Sequence, residues 1–428
     1  MTYDETVDYL FNCAPPFQQV GGAAYKEGLA NTIAIDNHLG NPHRKFRTIH
    51  VAGTNGKGST SHTLAAILQA AGYKVGLYTS PHLIDFRERI RVNGTPASKQ
   101  FVIDFVERER NFFEPLSPSF FELTTAMAFT YFAQEQVDVA IIEVGLGGRL
   151  DCTNIITPDL CIITNISLDH TQFLGSTTTS IAAEKAGIIK PCTPVIIGES
   201  TPETRKIFTK KAANEGAPIV FAQDENALLS AKATQEGIAY TTADYGTING
   251  ELAGEYQIKN TRTILTALRQ LLKKDYKIST DSVQKGFANV CSLTGFMGRW
   301  QKIGDNPPIV CDAGHNIGGI EYVTHQLAQQ ECDTLRIVFG MVSDKDITTV
   351  LSMMPRNAVY YFTQASIKRA MPADELRRKA AEYGLRGNSY PTVSTALEAA
   401  QKEATEKDFI FIGGSCFIVA DLLAHITA

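Results

Sequence analysis

The segment RTIHVAGTNGKGST (47–60) limits the possible folds more than any other stretch of this chain. A β-branched run ends at Ala52, and Gly53-Thr54-Asn55-Gly56-Lys57-Gly58-Ser59-Thr60 then opens the helical pattern SHTLAAILQAAG. Glycines let successive backbone N–H groups turn toward one point, a helix N-terminus adds partial positive charge, and Lys57 adds a whole one. That combination suits a polyphosphate and belongs between a buried strand and a helix, which the pattern predicts to be amphipathic. It is not a strict Walker A motif: Val51 stands where the first glycine would fall, and Gly58 follows the lysine. An ordinary glycine turn would leave Lys57 without a purpose.

The rest of the chain repeats the alternation of strand and helix. Short apolar runs occur at 74–79, 137–144, 160–166 and 193–198, and again at 307–314, 335–340, 358–363 and 408–414. Runs that are apolar throughout are buried on both faces, so they predict α/β architecture with parallel sheets. The two groups part around CSLTGFMGRWQK (291–302). Residues 1–296 are therefore expected to form a P-loop parallel-sheet domain, and 297–428 a smaller α/β domain. Residues 222–255 are expected to add a small antiparallel patch.

Composition excludes several classes. The net charge of −5 gives no global basic field for nucleic acid or an anionic membrane. No run approaches the roughly 18 apolar residues of a spanning helix, and MTYDETVDYLF lacks the layout of a signal peptide. Eight cysteines lie singly with no C-x-x-C pair, which argues against a disulfide framework or a zinc cluster. A cytoplasmic protein is expected.

Open parallel sheets bind ligands beyond the carboxyl ends of their strands. Ser80 after KVGLYT, Glu143 closing VDVAII and His170 after LCIITNI all fall there. A carboxylate at the end of a buried strand needs a partner or a cation, and two oxygens with an imidazole suit one Mg²⁺. Singly, each is as readily a structural residue. Arg87, Arg89 and Arg91 share a face if DFRERIRVNG is extended, either to receive carboxylates or to guard an edge strand. Asp312 and His315 in CDAGHN follow another buried strand, and Arg299 sits in the junction.

GTNGKGST, YTSPHL, IEVGLGGRLDCTN, LDHTQFLG, IAAEKAGIIK, GRW and DAGHN occur in the order found in folylpolyglutamate synthases, relatives of the Mur peptidoglycan ligases. The chain resembles that family along its whole length. The resemblance implies an ATP-dependent ligase joining L-glutamate to a folate carboxylate, with ATP at the domain interface and a Rossmann-like C-terminal domain. It implies that Gly53 to Thr60 hold the triphosphate, with Lys57 on the β/γ oxygens. Ser80, Glu143 and His170 would bind Mg²⁺, and Lys185 would react with CO₂ to give a carbamate that holds a second Mg²⁺. Asn260, Arg299, Asp312 and His315 would contact the nucleotide. Lys57, Lys185, His170 and Arg299 would then carry catalysis, with His315 or solvent taking the amine's proton. The plain alternative for Lys185 is a helix lysine paired with an acid.

GGRLDCTN (147–154) resembles the signature of members that also add glutamate to dihydropteroate, with Cys152 where Ala or Ser is usual. It implies a pterin site at Ser119, Phe121, Arg149 and Asp151, with Phe121 stacked on the ring. The segment APPFQQVGGAAYK (14–26) is expected to close over the same ligand. The implied partners are dihydropteroate, reduced folates and L-glutamate, acting on a monomer, with no nucleic acid or membrane. Two rivals remain. A Mur-type ligase for a UDP-sugar precursor is expected to carry a uridine-binding domain ahead of the loop, where only about fifty residues stand. A non-catalytic P-loop switch would bind nucleotide without acceptor-dependent turnover.

Overall fold

Strand β1 (Arg47–Ala52) runs through the middle of an eight-stranded sheet in the computed structural model, which describes residues 1–13, 28–343 and 346–427. The expected lid at 14–26 lies outside the described residues. The other strands of this sheet are β2 (Val75–Tyr78), β3 (Ile90–Val92), β4 (Thr95–Pro96), β5 (Val139–Glu143), β6 (Leu160–Ile163), β7 (Val195–Ile197) and β8 (Ile219–Phe221). Their order is β4-β3-β2-β5-β1-β6-β7-β8. All neighbours are parallel except for the β3 and β4 pairings at one edge. Ile49, Val51, Ile141 and Ile162 pack on one face against Leu64, Ile67 and Leu68, and Ala140 and Ile142 pack on the other against Phe105, Phe129 and Phe132. Each of the valine, leucine, isoleucine and phenylalanine side chains contributes about 1.5–3 kcal/mol by leaving water.

The helix Lys57–Ala70 departs from the sequence expectation: Ser59 through Leu68 are all buried, so it is enclosed rather than amphipathic. The helix Thr280–Ala288 lies over it so closely that a Cβ on Gly286 would stand 2.6 Å from Ile67 Cα. A helix covered on both sides has no solvent-facing stripe; LAAIL supplies small and apolar residues, and the buried His62 Nδ1 lies 2.8 Å from Thr294 Oγ1. A separate antiparallel sheet of β9 (Leu228–Thr234), β10 (Gly237–Thr242) and β11 (Gly246–Gly250) forms within the 222–255 stretch.

DFRERIRVNG is not extended throughout. Asp85 and Glu88 form a reciprocal capping box that winds Phe86–Arg89 into a 3₁₀ turn, and only Ile90–Val92 enters the sheet. The three arginines consequently separate. Arg87 pairs with Asp85 at 2.9 Å, Arg89 is fully buried with Nε donating to His82 Nδ1 at 2.8 Å, and Arg91 Nη1 donates to Gly94 O at 3.0 Å.

A second sheet contains β12 (Gln301–Asp305), β13 (Pro308–Asp312), β14 (Leu335–Phe339), β15 (Val359–Phe362), β16 (Arg386–Ser389) and β17 (Phe409–Gly413), in the order β12-β13-β17-β14-β15-β16. Only β12 is antiparallel, so this is an open Rossmann-like α/β sheet. Contacts divide the chain into Met1–Glu251 with Tyr256–Phe296, and Leu252–Glu255 with Met297–Ala428. The short strap joins the second unit because Gln326 donates to Ala253 O at 3.0 Å and accepts from Glu255 N at 2.9 Å. Among the described residues, no helix is long and apolar enough to cross a membrane.

Candidate active site

The loop after β1 has a shape that glycine alone permits at two points. Gly53 has φ +147° and Gly56 φ +82°, and a Cβ would meet Thr164 Oγ1 at 1.9 Å and Asn260 Oδ1 at 2.2 Å, respectively. The loop is braced from the end of β6: Thr54 N donates to Asn165 O at 3.0 Å and Asn55 N to Asn165 Oδ1 at 2.9 Å. Thr54 Oγ1 donates to Ser167 O at 3.1 Å. Asn260 donates to Gln257 at 2.8 Å, and Gln257 donates to Ser59 Oγ at 3.1 Å, so Asn260 stands beside the loop. Phe296 packs over Gly58. Thr60 Oγ1 is buried without a hydrogen-bond partner among the described residues.

Two lysines converge on this loop. Lys57 Nζ folds back to donate to Gly53 O and Thr54 O, each at 3.0 Å. Lys185, in the helix Thr178–Ala186, is 5% exposed and donates from Nζ to Gly53 O at 2.9 Å. Burial, with the Lys57 ammonium alongside, brings the Lys185 amine down to about 7. Near neutral pH it is therefore partly an uncharged nucleophile. Lys57, Lys185 and His170 line a small cleft with Gly53, Gly145 and Asp169.

Ser80 and Glu143 meet at the same sheet end because β2 runs parallel to β5 with Tyr78 opposite Ile142. Ser80 N donates to Glu143 Oε2 at 3.2 Å, and Glu143 is only 3% exposed. Among the described residues, no three His, Cys, Asp or Glu side chains converge as a metal cage. One carboxylate beside a serine, with an imidazole in the adjoining cleft, instead fits Mg²⁺. That ion keeps several waters and takes phosphate oxygens, needing few protein ligands.

The wall of the cleft has a second side. Asp151 is buried, and its Oδ2 accepts from Gly145 N at 3.0 Å and Leu146 N at 2.9 Å. Its Oδ1 accepts from Thr153 N at 3.0 Å and from the Thr153 hydroxyl. Burial raises the Asp151 pKa against the pull of these bonds. Phe121 packs on Gly145: a Cβ there would lie 2.9 Å from Phe121 Cε1 and 3.4 Å from Asp151 Oδ2. Ser119 caps the same helix, accepting from Glu122 N at 3.2 Å. Phe121 and Asp151 thus share one corner. Arg149 is directed elsewhere, its guanidinium 2.9 Å from Glu184 and its backbone N donating to Glu184 O at 2.8 Å.

In the second unit, Asp312 Oδ2 accepts from Trp300 N at 2.8 Å and Oδ1 from Gly314 N at 2.7 Å. Ala313 N donates to Gly298 O at 3.0 Å, and His315 Nδ1 lies 3.0 Å from Ala313 O. Arg299, Asp312 and His315 therefore stand on two loops knotted together by the Asp312 carboxylate.

The Mur ligase middle domain family matches residues 51–268, and the Mur ligase glutamate ligase domain family matches 298–416. A Bacillus subtilis dihydrofolate synthase/folylpolyglutamate synthase is 32% identical over 411 residues, covering 93% of this chain and 94% of the relative. The chain belongs to the Mur ligase family, in its folylpolyglutamate synthase branch. The structure of Escherichia coli FolC in complex with DHPP and ADP is similar to this one at 33% identity and a TM-score of 0.85, covering 100% of this chain and 98% of that one. A Yersinia pestis bifunctional folylpolyglutamate synthase/dihydrofolate synthase complexed with AMPPNP and Mn ion is 30% identical, with a TM-score of 0.83 and coverage of 100% and 98%.

Within this folylpolyglutamate synthase fold, several residues that shape the site carry no motif. Asn165 and Gln257 brace the glycine loop from afar. Arg89 lies 5.8 Å from the Phe121 ring centroid, at the corner that Phe121 and Asp151 share. The available signals are weak: a polar Thr164-Asn165 pair breaking the apolar run 160–166, and an arginine directly before Ile90.

Proposed function

We propose that the chain is an ATP-dependent ligase that adds L-glutamate to dihydropteroate and to tetrahydrofolate. One juxtaposition carries the reading. Lys57, Lys185 and His170 line a cleft whose wall, at Gly145 and Leu146, is held by Asp151 on the side that faces Phe121. A single loop thus separates a phosphate-handling side from an aromatic corner suited to a flat heterocycle. The DHPP, ADP, AMPPNP and Mn ion bound in the relatives' structures support a nucleotide and a divalent metal here.

A free carboxylate does not condense with an amine, because oxide is not a leaving group. The acceptor carboxylate attacks the γ-phosphate in line, giving an acyl phosphate and ADP. The glutamate amine then attacks the carbonyl, and the tetrahedral intermediate expels phosphate. Two anions meet in the first step, so the chain's contribution is the Lys57 ammonium and the N–H groups of Gly56 to Ser59 at the start of the helix. Asn260, beside the loop, is assigned to the nucleotide. Ser80, Glu143 and His170 would hold Mg²⁺, which neutralises phosphate charge when bound. The uncharged Lys185 amine would take up CO₂ with loss of a proton, and the negative charge of the carbamate would suit a second Mg²⁺. Ser119, Phe121 and Asp151 are assigned to the acceptor. The reading includes a cytoplasmic monomer without nucleic acid or membrane partners.

The test supplies dihydropteroate and tetrahydrofolate separately with ATP and labelled glutamate, and identifies products by mass. The expected result is one added glutamyl group on each acceptor, with phosphate release that needs acceptor and glutamate together. Nucleotide binding without amide formation would turn the reading into a switch, and product only from a UDP-sugar precursor would favour the Mur-type rival.

A further inference from the structure

Strand β1 carries one polar ring at its buried centre. His50 is fully buried, between Ile142 of β5 and Cys161 of β6 in register. Its Nε2 lies 2.8 Å from Thr153 Oγ1, and its Nδ1 has no hydrogen-bond partner among the described residues. Burial, with Lys190 nearby, lowers the ring's pKa to about 3, so it is neutral. The direction of the bond follows from counting protons. The Thr153 hydroxyl has one, and it goes to Asp151 Oδ1. The His50 contact must then run from Nε2–H to Thr153 Oγ1, which leaves Nδ1 as the bare nitrogen.

The chain of donors continues to the site. His50 Nε2–H donates to Thr153, Thr153 donates to Asp151 Oδ1, and Asp151 Oδ2 accepts from Gly145 N and Leu146 N. An apolar side chain at position 50 would suit the strand and leave no orphaned nitrogen, so fold stability alone does not explain an imidazole there. What the ring adds is direction: with a lone pair of the Thr153 hydroxyl occupied, the hydroxyl's own proton stays aimed at Asp151 Oδ1.

We infer that His50 is a positioning residue for the acceptor pocket, acting through Thr153 to orient the Asp151 carboxylate and, with it, the Gly145–Leu146 turn against Phe121. The inference rests on the functional reading above, in which Phe121 and Asp151 receive the acceptor. It assigns a role to a strand residue that touches neither substrate nor nucleotide.

The test is steady-state kinetics on the full chain with ATP, glutamate and dihydropteroate, for wild type, His50→Leu, His50→Gln, Thr153→Val, Thr153→Ser and the double variant His50→Leu/Thr153→Val. His50→Leu and Thr153→Val are each expected to raise KM for dihydropteroate about tenfold, with KM for ATP within about twofold. His50→Gln keeps an N–H donor at the Nε2 position, and Thr153→Ser keeps the hydroxyl, so both should recover most of the loss. The double variant should be no worse than Thr153→Val alone. Equal rises in both KM values, or no recovery by glutamine, would reduce His50 to packing and overturn the relay. If His50→Leu does not fold, the Thr153→Val and Thr153→Ser pair decides between relay and packing in its place, because Thr153→Val is isosteric. Absence of product with the wild type would sink the functional reading, whereas a working wild type with unaltered KM in Thr153→Val would sink only the relay.

Discussion

Lys57 and Lys185 donate to one acceptor, the carbonyl oxygen of Gly53, from 3.0 and 2.9 Å. Two ammonium groups crowded on a single carbonyl repel each other, and in a buried place the relief is for one to lose its proton. Burial selects Lys185 as the one that does so. In the proposed function, the glycine loop thereby sorts two identical side chains into different roles: a cation for phosphate and an amine for CO₂.

The pH dependence follows from that sorting. The Lys185 amine is brought down to about 7, so its uncharged fraction grows as pH rises through that value. Only the uncharged form adds CO₂. With ¹³C-bicarbonate, a carbamate resonance is expected in wild type that fades as pH falls below about 7 and is missing in Lys185→Arg. Lys57→Met removes the neighbouring charge, so the Lys185 pKa should rise and the midpoint of the signal should move to higher pH. A midpoint indifferent to Lys57 would break the proposed coupling.

Gly56 makes a second prediction. At φ +82° an alanine suffers the left-handed penalty of about 1–2 kcal/mol, and its Cβ would stand 2.2 Å from Asn260 Oδ1. Gly56→Ala should melt at lower temperature and lose most of the stabilisation that ATP confers, since a ligand stabilises only through the state it binds. Adding Asn260→Ala should restore some stability by removing the collision, but not the ATP response. Thermal denaturation with and without ATP checks both. A full ATP-induced shift in Gly56→Ala would contradict the phosphate role of the loop.

How much of this was legible in the sequence depended on range. The glycine loop and the long apolar runs are local signals, and β1, β2, β5, β6, β7, β13, β14, β15 and β17 lie within the runs that mark them. The strand β16 reads RGNS and exists only because β15 pairs with it, so no pattern could reveal it. Arg87, Arg89 and Arg91 misled because a capping box at Asp85 and Glu88 overrides an alternation of charge. The brace from Asn165 to Asn55 and the approach of Arg89 to Phe121 join residues far apart in the chain. The family resemblance groups Arg149 with Phe121, but a partner 35 positions away, Glu184, takes its guanidinium, a pairing that no local pattern reveals.

The aromatic corner is tested by Phe121→Ala. The ring packs on Gly145 with the Arg89 guanidinium nearby, so removing it empties the space beside Asp151 without touching the lysine cleft. KM for dihydropteroate is expected to rise about tenfold or more, the scale of a lost aromatic contact plus its buried area, with KM for ATP little altered. Phe121→Tyr should retain most of the affinity. An equal effect on both substrates would place Phe121 in the core and not in the pocket.

The metal assignment turns on Glu143, which closes β5 at 3% exposure and accepts the Ser80 N–H. Glu143→Gln keeps an oxygen for that N–H and the same volume, but removes the charge that would hold a divalent ion. Removing a desolvated carboxylate does not harm folding by itself, so the melting temperature should hold or rise. The Mg²⁺ concentration for half-maximal ligation should rise about tenfold or more, because Mg²⁺ gives up its water only to strong anionic oxygen donors. Measuring turnover against Mg²⁺ separates the alternatives. A slower enzyme with an unchanged Mg²⁺ midpoint would remove Glu143 from the ligand set and leave it as a brace for Ser80.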